Sequence, residues 1–589
     1  MEHVDEIAAD IKRTVAGRTL LDVFAGNADR YAESPALRWR YGADWATFTW
    51  REYREQVEHA TLGLLELGVR PGDRVGILVT NRPELAIADF ALLHARAVPV
   101  CLFDSFTAVQ LRTVLRTLDI SLVIVEGPAE QDRLSGTGIR SVMVEGGPDD
   151  QSWERVMATG RERAALRDGT FEASWKAARP DDLVSVNYTS GTTGSLKGVR
   201  HSHQNVLWHA ESFARFLPLA PGTRFLAYLP RAHATERFVT TWFPLTQAGT
   251  VHLCPDPARL PEYLRDVRPQ FFGGVLRVWE RMYSGAIASI VDGKAAIATA
   301  RAAIRVTQAG GVLSATQQQA LDTARPVLDA VRAAMGLNDC GFAFSGGGAL
   351  APHVQEFFNA IGVPLTEGWG QSELVSAATL ATPDRIRAGT AGFALPGVAV
   401  RAAADGELLV QSGSRMLGYT TPIADAGLVD EDGWVHTGDL GEIGTDGYVR
   451  ILGRREEVFR LADGYAVPVT RVESQLRANP LVDHACVVGE GQPRLGAILV
   501  VSAPEDRWSQ ADLEQIVRDC NEILPERERI ARFAVLTGLW EPGRAEELTH
   551  TGKLKRGLIG AKYAELIRAL GSSGVPPRGA EVEALAVSL

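Results

Sequence analysis

The sequence predicts an α/β protein with a large N-terminal domain of sandwiched α/β sheets plus a β-rich subdomain, followed by a small C-terminal α/β domain. First, its 589 residues, 46% of them hydrophobic, exceed the size of one ordinary domain. Second, helical and strand-like apolar patterns alternate between residue 50 and about residue 150, as expected for an α/β sandwich. Third, the strands shorten and the turns become dense after residue 395.

The N-terminal elements follow from these patterns. Residues 53–67 have helical amphipathic spacing, whereas residues 74–79 and 122–125 are short apolar runs typical of buried strands. A second α/β block is expected over residues 181–256. Residues 280–335 are rich in Ala, Arg and Gln and predict helices laid over the sheets.

The predicted domain boundaries lie where the patterns change. The β-rich subdomain ends near residue 453, which gives an N-terminal domain over residues 1–453. Residues 454–570 have the size of a separate small α/β domain. Residues 571–589 begin with Gly, Ser and Pro, so this tail is predicted to be flexible.

Composition excludes some functions and compartments. The formal net charge is -11 and no basic stripe is present, so nucleic acid is not an expected partner. The five cysteines are widely separated and lack zinc-site spacing, which predicts small buried residues in a reducing cytoplasm. The acidic N-terminus does not resemble a signal peptide, and no apolar run reaches the roughly 20 residues of a membrane span. We expect a cytoplasmic protein without a transmembrane segment, for which a lipid substrate would still permit peripheral membrane contact.

The strongest local signal is YTSGTTGSLKG, residues 188–198. Its glycines allow close backbone approach to an anion, its hydroxyl groups can donate hydrogen bonds, and its lysine adds a positive charge. The spacing is not that of a Walker A loop. The pattern predicts a phosphate-binding loop, whose binding residues are Thr189, Ser190, Gly191, Thr192, Thr193, Gly194 and Lys197.

This loop resembles the phosphate loop of the acyl-adenylate-forming superfamily, which includes acyl-CoA synthetases, peptide-synthetase adenylation domains and luciferases. Leu196 replaces the usual proline. Further motifs follow in the family order, and the Glu-Arg ending of the first is typical of the long-chain fatty acyl-CoA synthetase branch. They are LPRAHATER (229–237), SGGGALAP (345–352), EGWGQSE (367–373), GELLVQSGSRMLGY (406–419), DGWVHTGDLG (432–441), GYVRILGRREEVFRLADG (447–464) and LTHTGKLKR (548–556).

The resemblance implies a two-step AMP-forming ligase. Mg-ATP and a carboxylic acid, expected to be a fatty acid, would give acyl-AMP and pyrophosphate, and the acyl group would then pass to coenzyme A. The small C-terminal domain is expected to be mobile, rotating about a hinge at Glu456 between the two steps. ATP, Mg²⁺ and coenzyme A are the cofactors expected on this basis.

Several residues acquire nucleotide-binding roles through the resemblance. Trp369 would present its ring to adenine against the turn that contains Gly347 and Gly348, because its own glycine neighbours suit close ligand approach. Asp439 is the expected acceptor from the ribose hydroxyls. Arg454 is expected to reach the nucleotide as well.

The catalytic candidates follow from the same motifs. Ser372 can donate to the α-phosphate, and Glu373 suits Mg²⁺, which prefers oxygen ligands. Lys553 would stabilise the charge that shifts during adenylation; Lys555 competes for this role, and the Thr-Gly-Lys match selects Lys553. His233 is expected to contact the acid and phosphate, without an assigned role as a general base. Gly464 is expected to line the coenzyme A passage.

Some positions depart from the family pattern. Tyr465 stands where the long-chain branch usually has Glu, Glu456 is neither Asp nor Lys, and Trp369 and Gln371 alter the usual Tyr-Gly-Leu/Met-Thr motif. The alternatives are therefore the same adenylation with another acid or acceptor: an acyl-AMP ligase for a carrier protein, or a nitrite-activating diazotase that uses an amine acceptor. A silent nucleotide-binding scaffold is disfavoured by the joint presence of Lys197, Glu373, Asp439, Arg454 and Lys553.

Overall fold

The protein has an α/β fold with a large N-terminal and a small C-terminal domain, as the sequence predicts; the exact boundary after residue 453 stays a prediction. Its structure is a computed structural model. That structure describes the chain except residues 1, 43, 191–195, 290–292, 309–310, 422–426, 480, 505–506, 539, 541–545, 549–552, 572–581 and 584–589.

The first part of the chain forms a parallel four-stranded sheet in the order β4-β3-β5-β6, packed among helices. The predicted helix 53–67 and strands 74–79 and 122–125 are confirmed as α3, β3 and β5. Its elements are α1 (Glu2–Val15), α2 (Leu20–Arg30), β1 (Pro35–Tyr41), β2 (Asp44–Thr49), α3 (Trp50–Glu66), β3 (Arg74–Leu78), α4 (Pro83–His94), β4 (Val98–Cys101), α5 (Ala108–Thr117), β5 (Leu122–Val125), α6 (Pro128–Asp132), β6 (Arg140–Met143), α7 (Trp153–Ala164) and α8 (Thr170–Lys176).

The second part returns to the first and adds helices. Strands β10 and β9 extend the β1-β2 pair into a second four-stranded sheet, and β11, β12 and β13 form a parallel sheet. Helices α13, α14 and α15 confirm the prediction for residues 280–335. The elements are β7 (Leu183–Ser190), β8 (Leu196–Ser202), α9 (His203–Phe216), β9 (Arg224–Ala227), α10 (Ala234–Arg237), α11 (Phe243–Thr246), β10 (Thr250–Leu253), α12 (Leu260–Val267), β11 (Phe271–Val275), α13 (Leu276–Ser289), α14 (Lys294–Gln308), α15 (Ala315–Ala334), β12 (Phe342–Gly346), α16 (Pro352–Ala360) and β13 (Leu365–Glu367).

The predicted β-rich subdomain is confirmed as two antiparallel sheets, β14-β15-β16 and β17-β18-β19-β20. In the second sheet Asp439 of β19 stands opposite Arg454 of β20. This register brings two predicted nucleotide-binding residues together. The strands are β14 (Trp369–Gly370), β15 (Ala377–Leu380), β16 (Phe393–Ala394), β17 (Ala399–Ala402), β18 (Glu407–Gln411), β19 (Val435–Ile443) and β20 (Val449–Arg454).

The C-terminal part has its own hydrophobic core around a mixed sheet in the order β23-β24-β25-β26. Within the predicted flexible tail, residues 572–581 and 584–589 lie outside the described part, whereas the two residues of β26 pair with β25. The flexibility of the tail stays a prediction. The elements are β21 (Val458–Arg460), β22 (Ala466–Pro468), α17 (Val469–Leu476), β23 (His484–Val488), β24 (Leu495–Val501), α18 (Gln510–Ile523), β25 (Ile530–Thr537), α19 (Arg556–Lys562), α20 (Ala564–Gly571) and β26 (Val582–Glu583).

Two further sequence-based expectations can be compared with the structure. All five cysteines are buried and unbridged, as predicted. Within the described residues, no helix combines the length and the apolar character that crossing a bilayer would require.

Candidate active site

The β7–β8 hairpin carries the predicted phosphate loop. Thr189 stands opposite Lys197 in the ladder, and its hydroxyl donates to the Lys197 carbonyl over 3.5 Å. Ser190 ends β7 opposite Leu196, while Gly191, Thr192, Thr193 and Gly194 lie outside the described residues. The pairing of β7 with β8 therefore holds Lys197 and the two ends of the predicted loop together at the loop end of the hairpin.

Lys197 and Glu373 meet at Tyr419. The Tyr419 hydroxyl donates to Oε1 of Glu373, and the Lys197 ammonium lies 5.3 Å from the centre of the Tyr419 ring. An ammonium at this distance is attracted by the negative face of the ring. The predicted phosphate-binding cation and the predicted metal-binding carboxylate are thus neighbours, with an aromatic residue between them.

Ser372 and Glu373 lie on a single 3₁₀ turn, Ser372–Leu374, that is anchored through its backbone. The Ser372 carbonyl accepts a hydrogen bond from Nε2 of buried His201 over 2.7 Å, and the Glu373 carbonyl accepts from the Met416 amide over 2.8 Å. Burial lowers the pKa of His201 to about 4, so the imidazole is neutral at physiological pH. These two hydrogen bonds fix the backbone that carries Ser372 and Glu373.

Asp439 is the centre of a buried hydrogen-bond network. Its Oδ2 accepts from Trp369 Nε1 over 2.8 Å and from Gln371 Nε2 over 3.0 Å, whereas Arg454 Nε lies 2.9 Å from Oδ1. The Arg454 Nη1 and the Gln371 amide also donate to the Thr437 carbonyl. The structure therefore unites the predicted adenine, ribose and nucleotide residues around one carboxylate.

Trp369 requires a correction to the sequence interpretation. Its glycine neighbours were expected to permit ligand approach, yet the residue is only 6% exposed and packs in the main hydrophobic core. A Cβ on Gly370 would lie 2.1 Å from the Ser376 carbonyl oxygen, and one on Gly368 would lie 2.9 Å from Leu380. These glycines allow close packing against the neighbouring strand, which sequence alone cannot distinguish from a need for ligand space.

The predicted glycine turn follows strand β12. Gly347 has φ +84°, a conformation that favours glycine, and a Cβ on Gly348 would lie 3.4 Å from Leu276. Behind the turn, the buried Glu367 carboxylate accepts from the Leu350 amide over 3.3 Å. Burial raises the pKa of Glu367 to about 7. The turn is thus held at its base by Glu367, and an added Cβ on Gly347 would meet no described atom within 4 Å.

His233 caps the start of α10 rather than lying within a helix. Its amide donates to the Pro230 carbonyl, and its own carbonyl accepts from the Arg237 amide over 2.9 Å. Arg237 forms a fully buried ion pair with Asp89 of α4. This ion pair therefore attaches the segment that carries half-buried His233 to α4, next to the first parallel sheet.

Lys553 approaches this site from the C-terminal part of the chain. Lys553 is exposed at its surface, yet desolvation by the protein around its ammonium lowers its pKa, and the positive charge of Arg454 lowers it further. The carboxylates of Glu457, Asp439 and Glu373 act in the opposite direction. Charges shift the pKa of a neighbouring group only when they are near it. Lys553 thus shares one charged site with Asp439 and Glu373.

Gly464 occupies a different setting, in the connection between β21 and β22. It is exposed with φ +84°, and an added Cβ would meet no described atom within 4 Å. This conformation by itself favours glycine here, and the close approach of coenzyme A to Gly464 stays a prediction. The neighbouring Tyr465 hydroxyl donates to Glu528 over 3.2 Å.

Three residues of the site were missed as individual candidates. Tyr419 stood at the end of a recognised motif, and Gln371 was noted only as a departure from the family pattern. Glu457, whose pKa is raised by burial, follows the predicted hinge and lies near Lys553. The signals that could have found them were motif membership and, for Glu457, a charge beside the hinge.

The described residues hold no cluster of three or more His, Cys, Asp or Glu side chains that would bind a metal by themselves. Mg²⁺ commonly uses one or two carboxylates together with substrate phosphates and water. Glu373, whose Oε1 accepts a hydrogen bond from Tyr419, could contribute one carboxylate to such a shared site.

Comparisons with known proteins agree with this geometry. Residues 24–420 match the AMP-binding enzyme family, and residues 457–573 match the AMP-binding enzyme C-terminal domain. The chain is 31% identical to the long-chain-fatty-acid–CoA ligase FadD15 of Mycobacterium bovis, over 89% of this chain and 92% of the relative. It is 26% identical to the long-chain-fatty-acid–CoA ligase ACSBG2 of Xenopus laevis, over 82% of this chain and 69% of the relative.

Solved structures show the same fold. The anthranilate CoA ligase AuaEII in complex with anthranoyl-AMP superposes with a TM-score of 0.72 at 20% identity, covering 93% of this chain and 97% of that one. The adenylation domain of a carboxylate reductase from Mycobacterium chelonae also gives 0.72, at 19% identity, covering 96% and 94%. Motifs, fold and family match coincide, and the chain belongs to the AMP-binding enzyme family.

Proposed function

We propose that this protein uses ATP to activate a carboxylic acid as acyl-AMP, with release of pyrophosphate, and then transfers the acyl group to coenzyme A. The observation that carries the proposal is the convergence of Lys553, from the C-terminal part, on the site that contains Glu373 and Asp439. A charge arrangement of this kind suits a reaction in which negative charge moves between phosphate and carboxylate oxygens.

Adenylation begins when a carboxylate oxygen attacks the α-phosphorus and pyrophosphate leaves. The Lys553 ammonium is placed to stabilise the charge on the attacking and bridging oxygens, while Lys197 at the hairpin compensates the leaving phosphates. Glu373 would hold Mg²⁺, which neutralises phosphate charge when it is bound. Ser372 is the proposed hydroxyl donor to the α-phosphate, and His233 the proposed contact to the acid.

Nucleotide positioning is assigned to the network around Asp439. An ionised carboxylate offers about four acceptor positions, and Trp369, Gln371 and Arg454 use three of them. One acceptor position remains for a ribose hydroxyl. The three protein donors fix the orientation of the carboxylate, which lowers the cost of ordering it upon ATP binding.

The proposed acid is a medium- or long-chain fatty acid and the proposed acceptor is coenzyme A. The names of the relatives support both assignments, and so does the Glu236-Arg237 ending of the His233 motif. Gly464 would line the thiol passage only after the C-terminal domain has turned. A carrier protein or an aryl amine remains the alternative acceptor, because Tyr465 stands where the long-chain branch usually has Glu.

The test is pyrophosphate release across a panel of fatty acids, aryl acids and nitrite, each with and without coenzyme A, a carrier protein or an aryl amine. We expect release with a fatty acid and formation of its coenzyme A thioester. Release that never leads to a thioester, for any acid, would reject coenzyme A as the acceptor. No release with any acid would reject the proposal as a whole.

A further inference from the structure

His484, the first residue of β23, joins the C-terminal part of the chain to helix α13 of the N-terminal part. The residue is only 2% exposed. Its Nδ1 lies 2.9 Å from Nη2 of Arg277 in α13, and its Nε2 lies 3.0 Å from the Trp540 carbonyl oxygen. Each ring nitrogen of His484 therefore has a partner, one in each part of the chain.

The chemistry of these two partners decides where the His484 proton lies. A guanidinium has only donors, so Nδ1 must accept from Arg277 and carries no proton. A carbonyl oxygen only accepts, so Nε2 must carry the proton that it donates to Trp540. A second proton, on Nδ1, would remove the acceptor and set an imidazolium directly against a guanidinium. The contact between the two parts of the chain therefore requires a neutral imidazole.

The charges around His484 also oppose a second proton. Arg277 from α13 and Arg477, directly after α17, are positive, whereas Asp483, directly before β23, is negative. Glu280 of α13 lies 3.9 Å from Arg477, and burial raises the pKa of its carboxyl. Burial of His484, followed by the charge of Arg277, lowers the pKa of the imidazole to about 4.

The other charged residues on the elements packed against β23 have partners elsewhere. Helix α17 carries Arg471, which pairs with Glu528, and Glu473, which pairs with Arg556. Strand β24, which pairs with β23, has no charged residue. The groups that respond to the charge of His484 are therefore those at the interface with α13.

The same structure brings Lys553 to Asp439 and Glu373, so the contact between His484 and Arg277 belongs to the orientation proposed for adenylation. We propose that His484 is a positioning residue for that step. Its neutral imidazole, through Arg277, holds the C-terminal domain where Lys553 reaches the nucleotide site, and protonation of the imidazole releases this orientation. The inference rests on the proposed two-step function and gives it a dependence on pH.

The direction of this pH dependence follows from proton binding to the two orientations. When the contact is broken and His484 meets water, its pKa returns to the ordinary value of 6.5. Above that pH the imidazole is neutral in both orientations, and the contact stabilises the adenylation orientation in full. Between pH 6.5 and about 4 only the separated orientation binds the proton. The preference for the adenylation orientation should therefore be lower by roughly tenfold at pH 5.5.

His353 of α16 provides a matched control at the same interface. It is half-buried, and its imidazole forms a hydrogen bond with the side chain of Gln475 in α17. A glutamine amide offers an acceptor as well as donors, so this contact tolerates either protonation state of the imidazole. His353→Gln should therefore keep the pH dependence that His484 creates.

Single-turnover rates of adenylation, and of thioester formation from supplied acyl-AMP, test the proposal between pH 5.5 and pH 7.5. The adenylation rate at pH 7.5 checks the proposed function separately, because an enzyme that makes no acyl-AMP there fails at that level. For the unmodified protein, the ratio of the adenylation rate to the thioester rate should fall roughly tenfold from pH 7.5 to pH 5.5.

His484→Gln isolates the titrating group. Its amide keeps one acceptor and one donor but cannot titrate, so the ratio of the two rates should not depend on pH. A ratio that does not change with pH in the unmodified protein would overturn the proposal. A fall of the same size in His484→Gln would also overturn it, because the titration would then belong to another group, such as Glu280.

A measurement of the proton's position keeps the test decisive if His484→Gln does not fold. In ¹⁵N NMR of histidine-labelled protein, Arg277→Met should raise the pKa of one histidine that is neutral at pH 7.5 with its proton on Nε2. Arg281→Met, which removes an exposed arginine of the same helix, should leave that pKa unchanged. If no histidine pKa rises in Arg277→Met, or if the responding histidine carries its proton on Nδ1, the proposal is wrong.

Discussion

The Trp369 indole donates a hydrogen bond of 2.8 Å to Oδ2 of Asp439, although the two residues are 70 positions apart in the chain. The bond connects β14, which follows β13 after one residue, with the central strand β19 of the next sheet. It fixes the carboxylate proposed to accept from the ribose.

Removing the indole donor should weaken ATP binding. Trp369→Phe keeps an aromatic ring and loses the hydrogen bond to a charged acceptor, which contributes about 1.5–3 kcal/mol. We expect the KM for ATP to rise by roughly one order of magnitude, with the KM for the acid unchanged. Steady-state kinetics with each substrate varied separately checks this. An unchanged KM for ATP in a folded variant would contradict the role given to the contact.

Lys553 should serve only the first half-reaction. Lys553→Ala is expected to reduce adenylate formation by roughly 10²–10³-fold, the scale for loss of one preorganised electrostatic group. Thioester formation from supplied acyl-AMP should persist. Lys555→Ala is the matched control and should remain near the unmodified rate. Equal losses in both half-reactions would show that Lys553 is not specific to adenylation.

The lowered pKa of Lys553 predicts a pH dependence. Desolvation of the amine and the positive charge of Arg454 both favour the neutral form. Lys553 therefore loses its charge at a lower pH than a free lysine would. The adenylation rate should therefore fall on the alkaline side, starting below the ordinary lysine pKa of 10.5. Lys553→Arg, which stays charged, should lack this decline at whatever rate it retains. The measurement is the single-turnover rate against pH, and identical alkaline profiles would argue against titration of Lys553.

Glu373 should act through the metal. Glu373→Gln removes the charge and should raise the Mg²⁺ concentration for half-maximal activity by about tenfold or more. Tyr419→Phe retains the carboxylate and removes only its hydrogen-bond donor, so a smaller increase is expected. Activity measured against Mg²⁺ concentration at fixed ATP shows which of the two variants needs more Mg²⁺ for half-maximal activity. A normal Mg²⁺ requirement in Glu373→Gln would remove it from the metal site.

Contacts between the two domains should favour the adenylation orientation. Arg277 of α13 lies 2.9 Å from Nδ1 of His484, and Glu280 lies 3.4 Å from the Ser474 hydroxyl. Arg277→Ala should slow adenylation several-fold without slowing thioester formation from acyl-AMP. Exposed Arg281 on the same helix provides the control, Arg281→Ala. A variant slowed equally in both steps would indicate general damage.

Local patterns predicted much of this structure because they depend on neighbouring residues. The run 122–125 became β5 without change, and the Ala-rich segment became three helices. Pairings over long separations could not be predicted in the same way. Nothing in the local pattern around Trp369 indicates that its donor reaches Asp439, or that packing against β15 requires its flanking glycines.

The candidate site shows the same division. Motifs identified Lys197, Glu373, Asp439, Arg454 and Lys553, since each stands at a recognisable position. Tyr419 was missed because its importance comes from lying between Lys197 and Glu373 in space.

Oxygen transfer is the most direct test of acid activation by ATP. A fatty acid labelled with ¹⁸O in both carboxylate oxygens would be turned over with ATP and coenzyme A, and the AMP analysed by mass spectrometry. Attack of the carboxylate on the α-phosphorus predicts one ¹⁸O atom in each AMP and none in pyrophosphate. Unlabelled AMP, or label appearing in inorganic phosphate, would contradict formation of an acyl-adenylate.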